Sequence, residues 1–212
     1  MPKATFLRDN GLSLALGGLF LLSFIGMALT GWHAFNSELA EHERPELGLL
    51  AYIATGNFLS AVFENWESEF LQMSTYVVLT AILFQRGSAE SLDPDDPTRD
   101  GDDVPWRRRS PRLAWLYAHS LGLALAMLFV LSFALHWWFS LVAVNEEAAR
   151  HGVEARTLAG YLFDADLWFE SLQNWQSEFL STAVLIVLSI FLRQKGSPES
   201  KPVAKANHET GG

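Results

Sequence analysis

The chain has 212 residues, half of them apolar, with 15 Lys and Arg against 24 Asp and Glu for a formal charge of −9. The acidic balance excludes nucleic acid as a partner, because phosphate binding needs a basic face. The absence of cysteine excludes disulfides, thiolate catalysis and cysteine metal sites.

The apolar residues gather into long runs: no charged residue interrupts residues 11–31 or 113–144, although His119 and His136 stand in the second run. About 20 apolar residues cross a hydrocarbon core of roughly 30 Å, so each run is long enough to span a bilayer. The first run predicts a membrane helix over residues 11–32. Lys3 and Arg8 precede it as in a secretory signal, but the run is too long for one and a near copy recurs in mid-chain. Gly17, Gly18, Gly26 and Gly31 in this helix suit close packing of a neighbour.

An outer segment follows. Asn36, Glu38, Ala40 and His42 recur as Asn145, Glu147, Ala149 and His151. On a helix, Glu and His at i and i+4 present an oxygen and a nitrogen to one point, so Glu38, His42, Glu147 and His151 are candidate metal ligands; the same residue types also suit any solvated helix face. Residues 47–63 are apolar, but their counterpart 158–172 carries Asp164, Asp166 and Glu170. Both stretches are therefore expected as interfacial helices on the outer membrane face.

The second membrane helix is expected over residues 64–85 and opens with Asn-Trp-Glu-Ser-Glu-Phe-Leu at 65–71. The apolar stretch after this segment is short, so the segment itself supplies the first turns of the span and draws Glu69 to the hydrocarbon edge. A charged linker over 92–112 follows and ends in the cluster Arg107, Arg108, Arg109 and Arg112, placed to meet anionic lipid head groups. The third and fourth membrane helices are expected over 113–141 and 173–193, and residues 201–212 as a disordered tail.

A shift of 109 residues lays the first half of the chain on the second without a gap. Its best segment aligns residues 65–71 with Asn-Trp-Gln-Ser-Glu-Phe-Leu at 174–180, and Gln85, Gly87, Ser88, Glu90 and Ser91 still align with Gln194, Gly196, Ser197, Glu199 and Ser200. The expected fold is an all-α membrane protein: four transmembrane helices in two tandem two-helix repeats, residues 1–91 and 113–200, related by a pseudo-two-fold along the membrane normal. Twelve of the fifteen Lys and Arg fall in the N-terminal segment, in residues 86–112 and from residue 193 onward, and only Arg44, Arg150 and Arg156 in the outer segments, which predicts cytoplasmic N- and C-termini.

The repeated Asn-Trp-x-Ser-Glu segment supplies the candidate polar membrane site: Asn65, Trp66, Ser68 and Glu69 with Asn174, Trp175, Ser177 and Glu178. Ionisable residues inside spans cost about 2.5–3.5 kcal/mol on insertion scales and mark pathways or pairs, so two symmetry-related glutamates facing each other would hold a proton or cation. Each residue of the segment also has a local structural reason: Asn caps, acids suit a helix N-terminus, and Trp sits at the interface. A haem bundle is disfavoured, because the positions matching His33, His119 and His136 hold Val142, Asn10 and Met27. No phosphate loop, His-Glu-x-x-His or serine elbow is present.

The doubled NWxSEF segment, followed by an apolar run and Gln-Arg/Lys-Gly-Ser-x-Glu-Ser, resembles a family of bacterial integral membrane proteins classed as a domain of unknown function. The resemblance implies a bacterial cytoplasmic membrane protein and brings no activity with it. The expectation is a non-enzymatic interaction or envelope component without a cofactor, with membrane lipids and a second copy or another membrane protein as partners. The competing class is a small transporter or channel using Glu69 and Glu178, and a third is a metal-binding or redox accessory subunit.

Overall fold

The computed structural model describes residues 6–99, 101–102 and 108–211. Among them the backbone forms seven helices and no strand beyond a single bridge between Asp93 and Asp96. In chain order these are α1 (Phe6–Glu41), α2 (Leu49–Tyr52), α3 (Gly56–Thr80), α4 (Pro111–Ala118), α5 (Ser120–His151), α6 (Leu158–Tyr161) and α7 (Ala165–Phe191).

Helix boundaries follow local chemistry. The Thr55 hydroxyl accepts the Phe58 N–H to cap α3, and the Asp164 carboxylate accepts the Asp166 N–H to cap α7. Gly152, in the left-handed region at φ 67°, ends α5. These caps correct the expected interfacial helices. Only the single turns α2 and α6 stand apart, while the rest of 47–63 and 158–172 belongs largely to the opening turns of α3 and α7, because no breaker separates those residues from the Asn-Trp segment.

Among the described residues three helices, not the expected four, are long and apolar enough to cross a membrane: α1, α5 and α7. The exception is α3, which carries Glu64, Glu67 and Glu69 within two turns, where α7 has Gln173, Gln176 and Glu178 at the positions 109 further on. Yet α3 is the central helix and packs along both α5 and α7. Glu64 meets Asn174 and Gln72 meets Thr182, so the chain runs in the same direction through α3 and α7.

At one end of the bundle, α1 and α5 are each tied to the segment that follows them. The Asn36 amide brackets the backbone of Leu47, accepting its N–H at 2.8 Å and donating to its carbonyl at 2.9 Å, and Asn145 makes the same pair of bonds to Arg156 at 2.7 and 3.0 Å. Trp32 and Trp137 add indole N–H bonds to the carbonyls of Leu47 and Leu158. Under these elbows lie two apolar clusters, Phe35, Leu39, Tyr52, Phe58 and Val62 in one and Leu141, Tyr161 and Leu167 in the other.

The opposite end is closed by the loop after α3 and by the tail. Buried Ser88 meets Ser189 of α7 at 3.0 Å, and Gly87, at φ 85°, donates its N–H to the Thr210 hydroxyl. The tail, expected to be disordered, folds back through residue 211: Lys201 is buried and donates to the carbonyls of Ala206, Asn207 and Glu209. Its ammonium supplies three donors, one to each of these carbonyls. Of the basic cluster, Arg108, Arg109 and Arg112 are exposed at the start of α4, and Arg107 lies outside the described residues.

The glycines divide differently from expectation. Around Gly17, Gly18 and Gly26 there is open space, whereas Gly56 sits at the α3/α5 contact, where a Cβ would lie 2.6 Å from the Ala143 nitrogen and 2.9 Å from the Phe139 carbonyl oxygen. Both obstacles are backbone, so relief requires the helices to separate. Gly56→Ala is expected to cost about 1–3 kcal/mol of stability, read as a lower thermal midpoint in detergent, while Gly17→Ala leaves the midpoint unchanged or slightly raised.

The loop after α3 also carries a titrating group. Burial holds the Glu90 carboxyl above the ordinary carboxylate range; a 2.8 Å hydrogen bond donated by the Tyr76 hydroxyl opposes this, and the nearby Glu199 reinforces it. A carboxyl whose folded pKa is raised binds more protons folded than unfolded, so its stabilising contribution is present at acid pH and fades as pH rises through the folded value. The thermal midpoint is expected to fall as pH rises above the ordinary carboxylate range in the native protein, and this fall is expected to be shallower in Glu90→Gln.

Candidate functional site

The residues with the most unusual surroundings lie where α3, α5 and α7 meet, roughly two turns inside the end of the charge-free run of α5. The side chains of His136 and Glu67 are fully enclosed, each with 0% exposure. The His136 Nδ1 lies 3.0 Å from Glu67 Oε2, and its Nε2 lies 3.2 Å from Glu170 Oε2. One imidazole is thus held between carboxylates from two other helices.

Each carboxylate has further partners. The Trp175 indole donates to Glu67 Oε1 at 3.2 Å, the Ser140 hydroxyl donates to Glu170 Oε2 at 3.0 Å, and the Tyr161 hydroxyl lies 2.7 Å from that of Ser140. Because Ser140 donates to Glu170, its oxygen is left to accept from Tyr161, which fixes the direction of that chain. The Asn174 amide donates to Glu64, one turn before Glu67 on α3. Ligand-capable atoms of Glu64, His136 and Glu170 lie within 4.8 Å of one another. The Glu170 side chain is 38% exposed and Glu64 is also partly exposed, so the centre is closed around His136 and Glu67 and open on the side of the other two carboxylates.

Local sequence places these groups. Glu64 and Glu67 are three apart on α3, and His136 and Ser140 four apart on α5, so each pair shares a helix face. The α6 turn buries Tyr161 and brings its hydroxyl to Ser140. Burying charge in an apolar helix bundle costs several kcal/mol per ion unless it is paired and hydrogen-bonded, and here every carboxylate has a donor.

The residues singled out from the sequence divide. Asn174 and Trp175 are part of the centre, as donors to Glu64 and Glu67. Asn65, exposed, and Ser68, buried, bond their own helix at Ala61 and Asn65, as Ser177 does at Asn174, and Trp66 packs on Phe20 and Phe63. Glu69 is exposed and Glu178 half-buried, close enough for one charge to act on the other. Glu38, His42, Glu147 and His151 are all exposed and do not converge: Glu38 lies 3.8 Å from Arg150, and the His42 ring bonds the Glu38 carbonyl.

Matching position to position across the 109-residue shift passes over the centre, because its members are the residues that break the match. Glu64 and Glu67 face Gln173 and Gln176, His136 faces Met27, Ser140 faces Gly31, and Glu170 faces Ala61. That concentration of polar-for-apolar and charged-for-neutral differences on three helices was the available signal.

His136→Ala would leave Glu67 enclosed without its main partner and is expected to cost about 3–5 kcal/mol. Glu69→Gln, at an exposed position, is expected to stay within about 0.5 kcal/mol. Thermal unfolding of the two variants in one detergent gives the comparison.

Among known proteins, no curated protein and no solved structure matches the chain. The match to the family described as a domain of unknown function (DUF6766) runs over residues 3–212, nearly the whole chain, and the protein belongs to that family.

Proposed function

We propose that this protein is a non-enzymatic, multi-pass carrier or channel for a cation in a bacterial cytoplasmic membrane, and that the centre on α3, α5 and α7 is where the cation is held. The observation that carries the reading is the enclosure of His136 between Glu67 and Glu170. A membrane scaffold has no need of it: replacing a buried ionic cluster by apolar side chains of similar volume is often neutral or stabilising, and ionisable residues within membrane helices tend to line ion and proton paths. Three carboxylates around one imidazole leave the centre negative even with the imidazole protonated, so it favours a cation.

In this reading α3 is a fourth crossing, shielded from lipid by α5 and α7, and the chain is a duplicated helical hairpin with both ends in the cytoplasm. The Asn36 and Asn145 brackets, the caps at Thr55 and Asp164 and the turns α2 and α6 recur 109 residues apart, and the shared direction of α3 and α7 suits an axis along the membrane normal. Arg108, Arg109 and Arg112 meet lipid head groups. The exposed apolar flank of α1, from Phe6 to Leu22, favours a second role, contact with lipid or with another membrane protein.

Reconstitution tests the carrier reading. Vesicles containing the protein, loaded with a pH dye or a metal dye, are expected to take up protons or a metal ion down an imposed gradient faster than empty vesicles, and Glu67→Gln is expected to reduce the rate at least tenfold. No flux of protons, monovalent or divalent cations in folded protein would leave the interaction role in its place.

A further inference from the structure

The composition and outer contacts of the centre narrow what it holds. We propose that Glu64, His136 and Glu170 bind one divalent first-row transition-metal ion, with Glu67 as the positioning residue that orients the imidazole. This rests on the reading of the centre as a cation site and adds the class of cation.

The first argument is the donor set. One imidazole nitrogen and two carboxylate oxygens, contributed by three different helices, lie within 4.8 Å of one another. Metal–ligand bonds of about 2.0–2.2 Å bring adjacent donors closer than that, within the reach of ordinary side-chain adjustment. A single nitrogen among oxygens suits Zn²⁺, Mn²⁺ or Fe²⁺. Ca²⁺ wants six to eight oxygens and Mg²⁺ a water-rich octahedron, neither of which an imidazole-centred site supplies.

The second argument is the outer contacts, which are those of a metal centre. Histidines that bind metals commonly donate their other ring N–H to a carboxylate, which fixes the tautomer and aims the free nitrogen. The enclosed Glu67 stands at 3.0 Å from Nδ1 in that role and is itself held by Trp175, leaving Nε2 aimed at Glu170. The ligand carboxylates are held too, Glu170 by Ser140 and Tyr161 and Glu64 by Asn174. The third argument is access: Glu64 and Glu170 are both partly exposed, so an ion can reach the buried imidazole between them.

Charge and atoms balance without a redox step. On binding, the ion takes the Nε2 lone pair and a proton held there leaves for solvent. No electron is transferred and no other reactant is needed.

The test uses the full chain, purified in mild detergent and stripped with a chelator, titrated separately with Zn²⁺ and Mn²⁺ by calorimetry and checked by elemental analysis after desalting. The expected result is one ion per chain, with heats that vary with the ionisation enthalpy of the buffer because a proton is released. Glu64→Gln and Glu170→Gln keep hydrogen-bonding capacity and are each expected to weaken binding at least tenfold. Glu67→Gln is expected to keep the stoichiometry and weaken binding about 10–100-fold. The double variant His42→Ala and His151→Ala is expected to bind as the native chain does.

Failure of the native chain to bind either ion stoichiometrically would overturn the proposal, as would undiminished binding by folded Glu64→Gln and Glu170→Gln. The two readings separate cleanly. Proton or monovalent-ion flux through a protein that takes up no divalent metal removes the metal site and leaves the carrier, whereas stoichiometric metal on a protein that moves no ion removes the carrier and leaves the site.

Discussion

The bridge from Glu67 on α3 through His136 on α5 to Glu170 on α7 is the contact on which the arrangement of the helices turns. Ionised groups lose several kcal/mol each on leaving water, and only close pairing with full hydrogen bonding recovers the loss. The three helices must therefore meet at one depth and in one rotation, since a turn of any of them by one residue would strand a charge. The same constraint explains why the helix with three glutamates inside two turns is also the most central. With Glu64 and Glu67 on one face, α3 cannot present that face to an apolar medium, so α5 and α7 cover it. Gly56 admits the close backbone approach of α5 that this cover requires.

Rigidity at the end of the bundle that carries α2 and α6 serves the centre directly. The asparagine brackets and tryptophan bonds fix the chain leaving α1 and α5, and with it the single turns α2 and α6 that carry Tyr52 and Tyr161. What the two tyrosines meet differs. Tyr161 reaches Ser140 and, through it, Glu170, whereas the Tyr52 hydroxyl packs against Gly31, where no side chain exists to receive it. One scaffold thus holds an apolar cluster around Tyr52 and begins a polar chain at Tyr161.

Much of the fold was legible because it rests on local rules. Runs without charge mark α1 and α5, and the offset of 109 residues aligns the caps at Thr55 and Asp164 and the exits at Gln85 and Gln194, where each backbone N–H is received by the hydroxyl of Ser91 or Ser200. The recurrence of Asn36 as Asn145 was visible too, but its cause was not. The neighbouring Glu and His suggest a ligand set, while the contact that matters is the amide bracket on a backbone eleven residues away. The centre was hidden for a different reason. Glu170 reads as a surface acid when its segment is taken to lie on the membrane face, and His136 reads as incidental when its counterpart is Met27. Convergence of three helices is a tertiary fact, and no periodicity within one helix announces it.

The uneven distribution of charge between matching positions has an energetic logic of its own. A second centre built from the first half would need acids at Ala61, Gln173 and Gln176 and an imidazole at Met27, enclosing as many charges again beside α3 and α7. Like charges at that spacing repel strongly in a medium of low dielectric constant, and the added carboxylates would compete for the same few donors. Keeping glutamine at 173 and 176 retains the shape of the segment without its charge. It leaves Asn174 and Trp175, which lie between them, free to donate to Glu64 and Glu67. A single acidic centre, partly exposed at Glu64 and Glu170, also suits the reversible cation binding proposed for it. In that reading a cation would gain a site whose charge it offsets, and the partly exposed carboxylates would give it a way to exchange.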